Sequence, residues 1–242
     1  MGLQTPLIIT PKKKAVNIEE WSRTIEIKTT MSAADVQREI DSLGRYLANG
    51  VTITFQLEDG LHSWDDQVKI SGFLGPGRIY IFGNSSDNSR QLSKNVVIST
   101  PADVIRTIWV TTNFNFMVYI AYIKFQRLDL TTHKYAVVSD MVAGRVWVDY
   151  CSFEFSNNSY GNAIYYLLTT EGQCHENYFK YGYRAIYCTS NAFVRNYNGE
   201  SDSSKPAYGL WASLWGKIRK EGTVQPSGSS SSEHTELGGE IL

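Results

Sequence analysis

The stretch AIYYLLTTEGQCHENYFKYGYRAIYC, residues 163–188, decides how this chain folds. It opens on Ala163-Ile164-Tyr165 and closes on Ala185-Ile186-Tyr187, the same phrase twice. Gly209-Leu210-Trp211 repeats the pattern downstream, and Ala136-Val137-Val138 is a weaker copy upstream. Each copy is small, then aliphatic, then usually aromatic. The copies start at residues 136, 163, 185 and 209, so the spacing varies. Such spacing excludes a rigid sequence repeat and fits a solenoid whose coils carry short strands joined by loops of different length. In a parallel solenoid, equivalent positions of successive coils stack one strand spacing apart. Val137, Ile164, Ile186 and Leu210 then form an inward aliphatic ladder, and Val138, Tyr165, Tyr187 and Trp211 face outward, because side chains alternate along a strand. The competing reading is a β-sandwich in which the repeat is an accident of abundant Ile and Tyr.

Upstream, Ser32 and Asp35 are capping residues for a helix. Val36, Ile40, Leu43 and Leu47 form one apolar stripe, and Gly50 is a stop, so the expected helix spans residues 32–47. VTITFQL, residues 51–57, alternates apolar and polar side chains as a half-buried strand does. Short strands then recur around 68–70, 78–82, 96–98, 105–110, 118–125 and 146–155, with turns between them and no second convincing helix. The expected fold is all-β: a right-handed parallel β-helix with an N-terminal capping α-helix over the open end of the first coil. Residues 1–31 read as an extension or pairing strand, 32–222 as the capped β-helix, and 223–242 as a Gly/Ser-rich tail, flexible by composition.

The phrase ISGFLGPGRIYIFGN, residues 70–84, raises the question of phosphate binding. A dinucleotide-binding glycine loop must open a helix. Here the residues that follow, Arg78 to Phe82, are β-branched and aromatic. Gly72, Gly75 and Gly77 therefore read as a corner between two strands, with Pro76 stiffening it.

Composition narrows the function. The chain has 242 residues, 42% hydrophobic and 19% charged, which supports a sizeable core. A net charge of −1 argues against nucleic acid as a partner, and Lys12-Lys13-Lys14 is the only basic block. Three cysteines, Cys151, Cys174 and Cys188, without CxxC spacing read as free thiols of a protein made in the cytosol. The start, MGLQTP, has Pro6 where a myristoylation signal needs Ser or Thr. No apolar run approaches membrane-helix length, and no signal peptide opens the chain.

Residues for chemistry are sparse. Glycoside hydrolysis needs two carboxyl groups roughly 5–10 Å apart. Asp65 and Asp66 are adjacent and point to opposite faces. Asp140 with Asp149, or Glu171 with Glu176, are the pairs that coil stacking could bring together. Cys174-His175-Glu176 is too compact for a metal set or a Cys-His nucleophile, and His62, His133 and His234 are isolated. No catalytic residue, metal or cofactor is expected.

The order of helix, VTITFQLEDG, KISGFLGPGRIYIFGN and Tyr-rich coils resembles the pectin-lyase-like β-helix domains of phage and prophage tail proteins. The ending GTVQPSGSSSSEHTELGGEIL, residues 222–242, resembles a Gly-Thr-x-x-Pro-x-Gly…Gly-Gly-x-Ile close found in that group. The matching blocks cover residues 32–84 and 208–242. The resemblance implies a structural or receptor-binding tail component, a virion or tail-like particle, and self-association as a trimer. The rival is a β-helix that cleaves a surface polysaccharide. The aromatic fraction of 13%, with 15 tyrosines, marks the surface to examine. Tyr165, Tyr187, Trp211 and Trp215 are the candidates, as a subunit interface or as a platform for bacterial surface glycan, unless a shift of one residue turns the ladder into core.

Overall fold

The computed structural model describes residues 17–111, 116–128 and 130–242. Lys12 to Lys14 and the N-terminal MGLQTP lie outside them. The chain winds as a parallel β-solenoid of about eight turns. Among the described residues sheet I has nine strands, from Arg23–Ile27 to Glu240–Ile241. Sheet II has six, from Gly60–Ser63 to Gly199–Ser201, and sheet III has seven, from Val68–Ser71 to Ser231–Thr235. A coil visits the three in that order, as in Arg145–Asp149, Ser152–Phe155 and Gly161–Leu167. Each of these strands pairs in parallel with its equivalents one coil before and after. Sandwich sheets are antiparallel, so the competing reading is excluded.

The core is a set of ladders. Ile108, Val137, Ile164, Ile186 and Leu210 stand in register and are fully buried. Behind sheet II, Phe125, Phe153 and Phe179 stack at 5.3 and 5.4 Å between ring centroids. No coil could bury these side chains alone; its neighbours supply the cover. The small residue of the repeat also has a structural reason. The sheet III pairing skips Thr107, Ala136, Ala163, Ala185 and Gly209; there the three alanines sit in the core and Thr107 is buried. At Gly209 a Cβ would strike the backbone oxygen of Pro226.

The capping helix is shorter than its apolar stripe suggests. It spans Ala33–Asp41, opened by a complete Ser32/Asp35 capping box. Gly44 then turns the chain so tightly that a Cβ would lie 2.9 Å from Asn17 O. Tyr46–Leu47 leaves the helix and pairs as a strand with Ile18–Glu19. Leu47 is still buried, but from an extended backbone, so its helical spacing to Leu43 is coincidental. The helix covers the first strand of sheet III. The Gln37 side-chain amide donates to Lys69 O at 3.0 Å and accepts from Lys69 N at 2.7 Å, as a neighbouring strand would. Arg45 Nη1 donates to Ser71 O at 3.0 Å. An edge that would otherwise expose unpaired backbone groups is thereby satisfied.

The glycine-rich phrase is a corner between Val68–Ser71 and Arg78–Phe82, with Gly72 and Gly75 at φ of 73° and 93°. At the other end, residues 223–242 do more than their composition suggests. Ser231–Thr235 and Glu240–Ile241 pair with Tyr208–Ala212 and Lys217–Lys220, extending sheets III and I by a further strand each. Arg23–Ile27, likewise, pairs with Thr52–Leu57 and belongs to sheet I.

Candidate functional site

The outer face of sheet III carries two parallel rows. In the first, Lys69, Trp109, Val138, Tyr165, Tyr187, Trp211 and His234 are in register, one per coil. In the second, Arg106, Tyr135, Asn162, Arg184, Tyr208 and Ser231 follow. Alternation puts the first row outside because its neighbours Ile164, Ile186 and Leu210 fill the core. Tyr135 stacks on Tyr165 at 5.1 Å, and Tyr165 on Tyr187 at 4.8 Å. The spacing is that of the strands themselves. Tyr187 meets Trp211 edge-on at 6.1 Å, and Trp211 lies against His234 at 4.0 Å.

Cations are set into this strip. The Arg184 guanidinium lies 4.0 Å from the Trp211 ring centroid, 4.2 Å from Tyr187 and 4.5 Å from Tyr183. Lys69 Nζ and the Arg106 guanidinium sit 4.0 and 4.5 Å from Trp109. Cation–π contacts of this kind fix both partners. Polar tips are tied down too: the Tyr187 hydroxyl is 3.0 Å from Ser213 Oγ, and Trp211 Nε1 donates to Glu236 Oε1 at 3.3 Å. Burial pushes the phenols of Tyr135 and Tyr165 above the ordinary tyrosine value, so they stay protonated. The result is a pre-ordered strip of half-buried tyrosines with apolar edges, hydroxyl tips and positive charge, while Trp211 itself is buried.

Tyr165, Tyr187 and Trp211 are thus brought together. Trp215 is not among them. It lies past the end of Tyr208–Ala212, at the corner leading from sheet III to sheet I, at φ 65° and 65% exposed against Gly238. That corner has its own pattern. Met141, Leu168, Leu214 and Leu237 lie just past the ends of sheet III strands, all exposed and all at φ between 46° and 52°, with Ser190 at the same position of the coil between Leu168 and Leu214. Left-handed backbone is uncommon for large side chains, so the row is a distinctive exposed apolar ridge.

The acidic pairs do not assemble. Asp65 and Asp66 are exposed on a corner. Asp140 ends a strand of sheet III and Asp149 a strand of sheet I. Glu171 starts the strand Glu171–His175 and Glu176 follows its end. Each is already paired, Glu171 with Arg145 at 3.0 Å and Glu176 with Arg90 at 2.8 Å. Cys174 points into the core and His175 outward. The three cysteines are free and buried. Burial pushes the thiols of Cys151 and Cys188 up to about 12 and that of Cys174 further, so none is a thiolate nucleophile. Among the described residues no group of three or more His, Cys, Asp or Glu side chains could hold a metal ion.

Sequence reasoning missed a second aromatic cluster, on sheet I and its corner with sheet II. Tyr80, Phe82 and Tyr119 meet at 5.0 to 5.4 Å, and Tyr119 reaches Trp147 at 6.1 Å. Tyr122 stacks on Tyr150 at 5.4 Å, and Tyr150 meets His175 at 5.1 Å. Under these rings Asp149 is 3% exposed. Burial pushes its carboxyl up to about 7, against the opposing pull of Tyr119, Gln173 and the His175 backbone. The signal was present as Tyr122-x-x-Phe125, Tyr150-x-x-Phe153 and Glu176-x-x-Phe179. The first residue of each takes the left-handed corner, at φ 63°, 53° and 54°, and the last enters the phenylalanine ladder.

Comparisons with protein-family models, with curated proteins and with solved structures find no match.

Proposed function

We propose that this chain is a non-enzymatic structural and receptor-binding component of a phage or prophage tail, contacting a host-surface glycan through the outer face of sheet III. The observation that carries the reading is the stacked strip of half-buried Tyr135, Tyr165 and Tyr187, held by Arg184 and closed by the buried Trp211. Sugar rings present apolar C–H groups and peripheral hydroxyls, and a row of fixed aromatic edges with polar tips, the ring faces being stacked on one another, complements both. Rigid aromatic side chains lose little entropy on binding. The resemblance of residues 32–84 and 208–242 to tail β-helix domains supports the setting, a virion or tail-like particle. The exposed apolar residues Met141, Leu168, Leu214 and Leu237, interrupted by Ser190 in the coil between Leu168 and Leu214, support self-association as an apolar surface to be covered.

The test combines binding and assembly. Host envelope polysaccharide is titrated against the parent protein and against Tyr165→Ala and Tyr187→Ala, with light scattering on each. Loss of glycan binding with unchanged mass supports the platform; loss of the oligomer with binding retained makes the strip an interface and overturns it. Appearance of new reducing ends or of unsaturated sugar absorbance would replace this reading with polysaccharide cleavage.

A further inference from the structure

Resting on the glycan-platform reading, we infer that the ligand of the sheet III face is an anionic polysaccharide, one bearing carboxylates. On sheets I and II several strand cations are met by carboxylates, though Arg78 and Arg195 are not. Lys124 and Lys180 both grip Glu154, at 2.7 and 2.8 Å. Arg145 pairs with Glu171 at 3.0 Å and Lys217 with Glu240 at 2.9 Å. Among the described residues, Lys69, Arg106 and Arg184 have no such partner. They are held instead against the faces of Trp109, Tyr183, Tyr187 and Trp211. A ring face steadies a cation without neutralising it or occupying its N–H donors in the plane. Among the described residues Arg184 donates from Nη1 alone, to Asn162 Oδ1 at 3.4 Å, and Arg106 donates to none; the Nε of each is buried, which leaves the outer guanidinium nitrogens for a ligand.

Asp65, Asp66 and Asp103 share a surface hollow with Arg106 without forming an ion pair among the described residues, and the carboxylates nearest Arg184 are engaged or lie at the margin. Glu236 accepts from Trp211 Nε1, Glu233 pairs with Lys220 at 2.7 Å, and Asp140 ends its strand beside the Tyr165 ring. Lys69 and Arg106 belong to the first two sheet III strands and Arg184 to the fifth. The positive groups are therefore spread along the solenoid axis, with Tyr135 and Tyr165 between them in register. A polymer lying along the axis would rest its sugar rings across the outward edges of the stacked tyrosines and place acidic substituents at both cationic positions. A neutral glycan would leave these cations uncompensated while covering them, which costs affinity. Carboxylates match guanidinium geometry, and such charge-assisted bonds are the strong ones. With a net charge of −1 the chain as a whole does not attract polyanions, so any attraction is local to this strip.

Affinity electrophoresis and calorimetry decide the matter with two polymers of one backbone, carboxymethylcellulose and neutral hydroxyethylcellulose, joined by alginate and hyaluronan as further carboxylated probes. The expected result is binding to at least one carboxylated polymer about tenfold tighter than to hydroxyethylcellulose, weakening as salt rises. Arg184→Gln, and separately Lys69→Gln, each lowers that affinity several-fold with unchanged circular dichroism. Arg219→Gln, on sheet I, leaves it unchanged. Equal binding to carboxymethylcellulose and hydroxyethylcellulose, insensitive to Arg184→Gln and Lys69→Gln, overturns the anionic inference and leaves the glycan platform standing. An equal loss in Arg219→Gln shows diffuse charge attraction and also overturns it. No binding to any of the four polymers, acidic or neutral, rejects both the inference and the platform.

Discussion

Asp149→Asn offers a quantitative test of the buried carboxyl beneath the sheet I aromatics. Asp149 is 3% exposed, and Gln173 Nε2 donates to its Oδ2 at 3.2 Å. Its carboxyl titrates near 7 in the folded chain against an ordinary value of 3.8, with burial as the main cause. The sign follows from proton binding. Below about pH 4 both folded and unfolded states hold the proton, and Asp149 costs nothing. Between about pH 4 and 7 the unfolded chain has released it and the folded chain has not, so stability falls as pH rises, by ~1.4 kcal/mol per pH unit. Above about pH 7 both are ionised and the loss levels off at ~4 kcal/mol. Asparagine has the shape of the neutral acid and does not titrate. The assay is urea unfolding of parent and variant at several pH values from about 4 to 8.5, plotted as the difference in unfolding free energy. Subtraction removes groups that titrate in both, including His175, whose imidazole burial holds below its ordinary value. The expected curve favours the variant increasingly through the interval and is flat outside it. Parallel curves would refute the reasoning, since they mean that Asp149 reaches water or a compensating charge.

Other outcomes follow from single contacts. Ile164→Ala empties one rung of the inward ladder and is expected to lower stability by about 2–5 kcal/mol in thermal or urea unfolding. Gln37→Ala strips both hydrogen bonds from Lys69 at the capped edge; a loss of about 1–3 kcal/mol is expected, with a new tendency to self-associate in size-exclusion chromatography. Arg127 is fully buried and donates to the carbonyls of Val104, Tyr135, Ile105 and Pro101. Arg127→Ala leaves these acceptors bare, so a loss of at least about 1–3 kcal/mol is expected, and Arg127→Lys should not restore it, because lysine cannot present donors in a planar fork.

The repeat around residues 163–188 was legible because stacking imposes the same demand on each coil. One position must be small at the bend, the next aliphatic in the core, the next free to be aromatic outside. Those demands are local, so composition and order alone reveal them, as they do the alternation of VTITFQL and the glycine corner. Trp215 looked like part of the aromatic row because sequence proximity to Trp211 says nothing about the left-handed turn between them. Leu47 looked helical because a strand residue and a helix residue can be equally apolar.

What the sequence by itself determined is therefore the parallel solenoid and the identity of its inward and outward rows, since both rest on period-two alternation repeated coil by coil. What only the tertiary structure decided is how side chains from different coils combine. Arg184 finds Trp211 one coil on, Gln37 replaces a missing strand at Lys69, and Asp149 is buried under Tyr119 from the coil before. These meetings depend on strand register across loops of unequal length, which no local pattern encodes. Loop length sets which residues stack, and stacking sets which charges are paired, which are bare and which are kept from water.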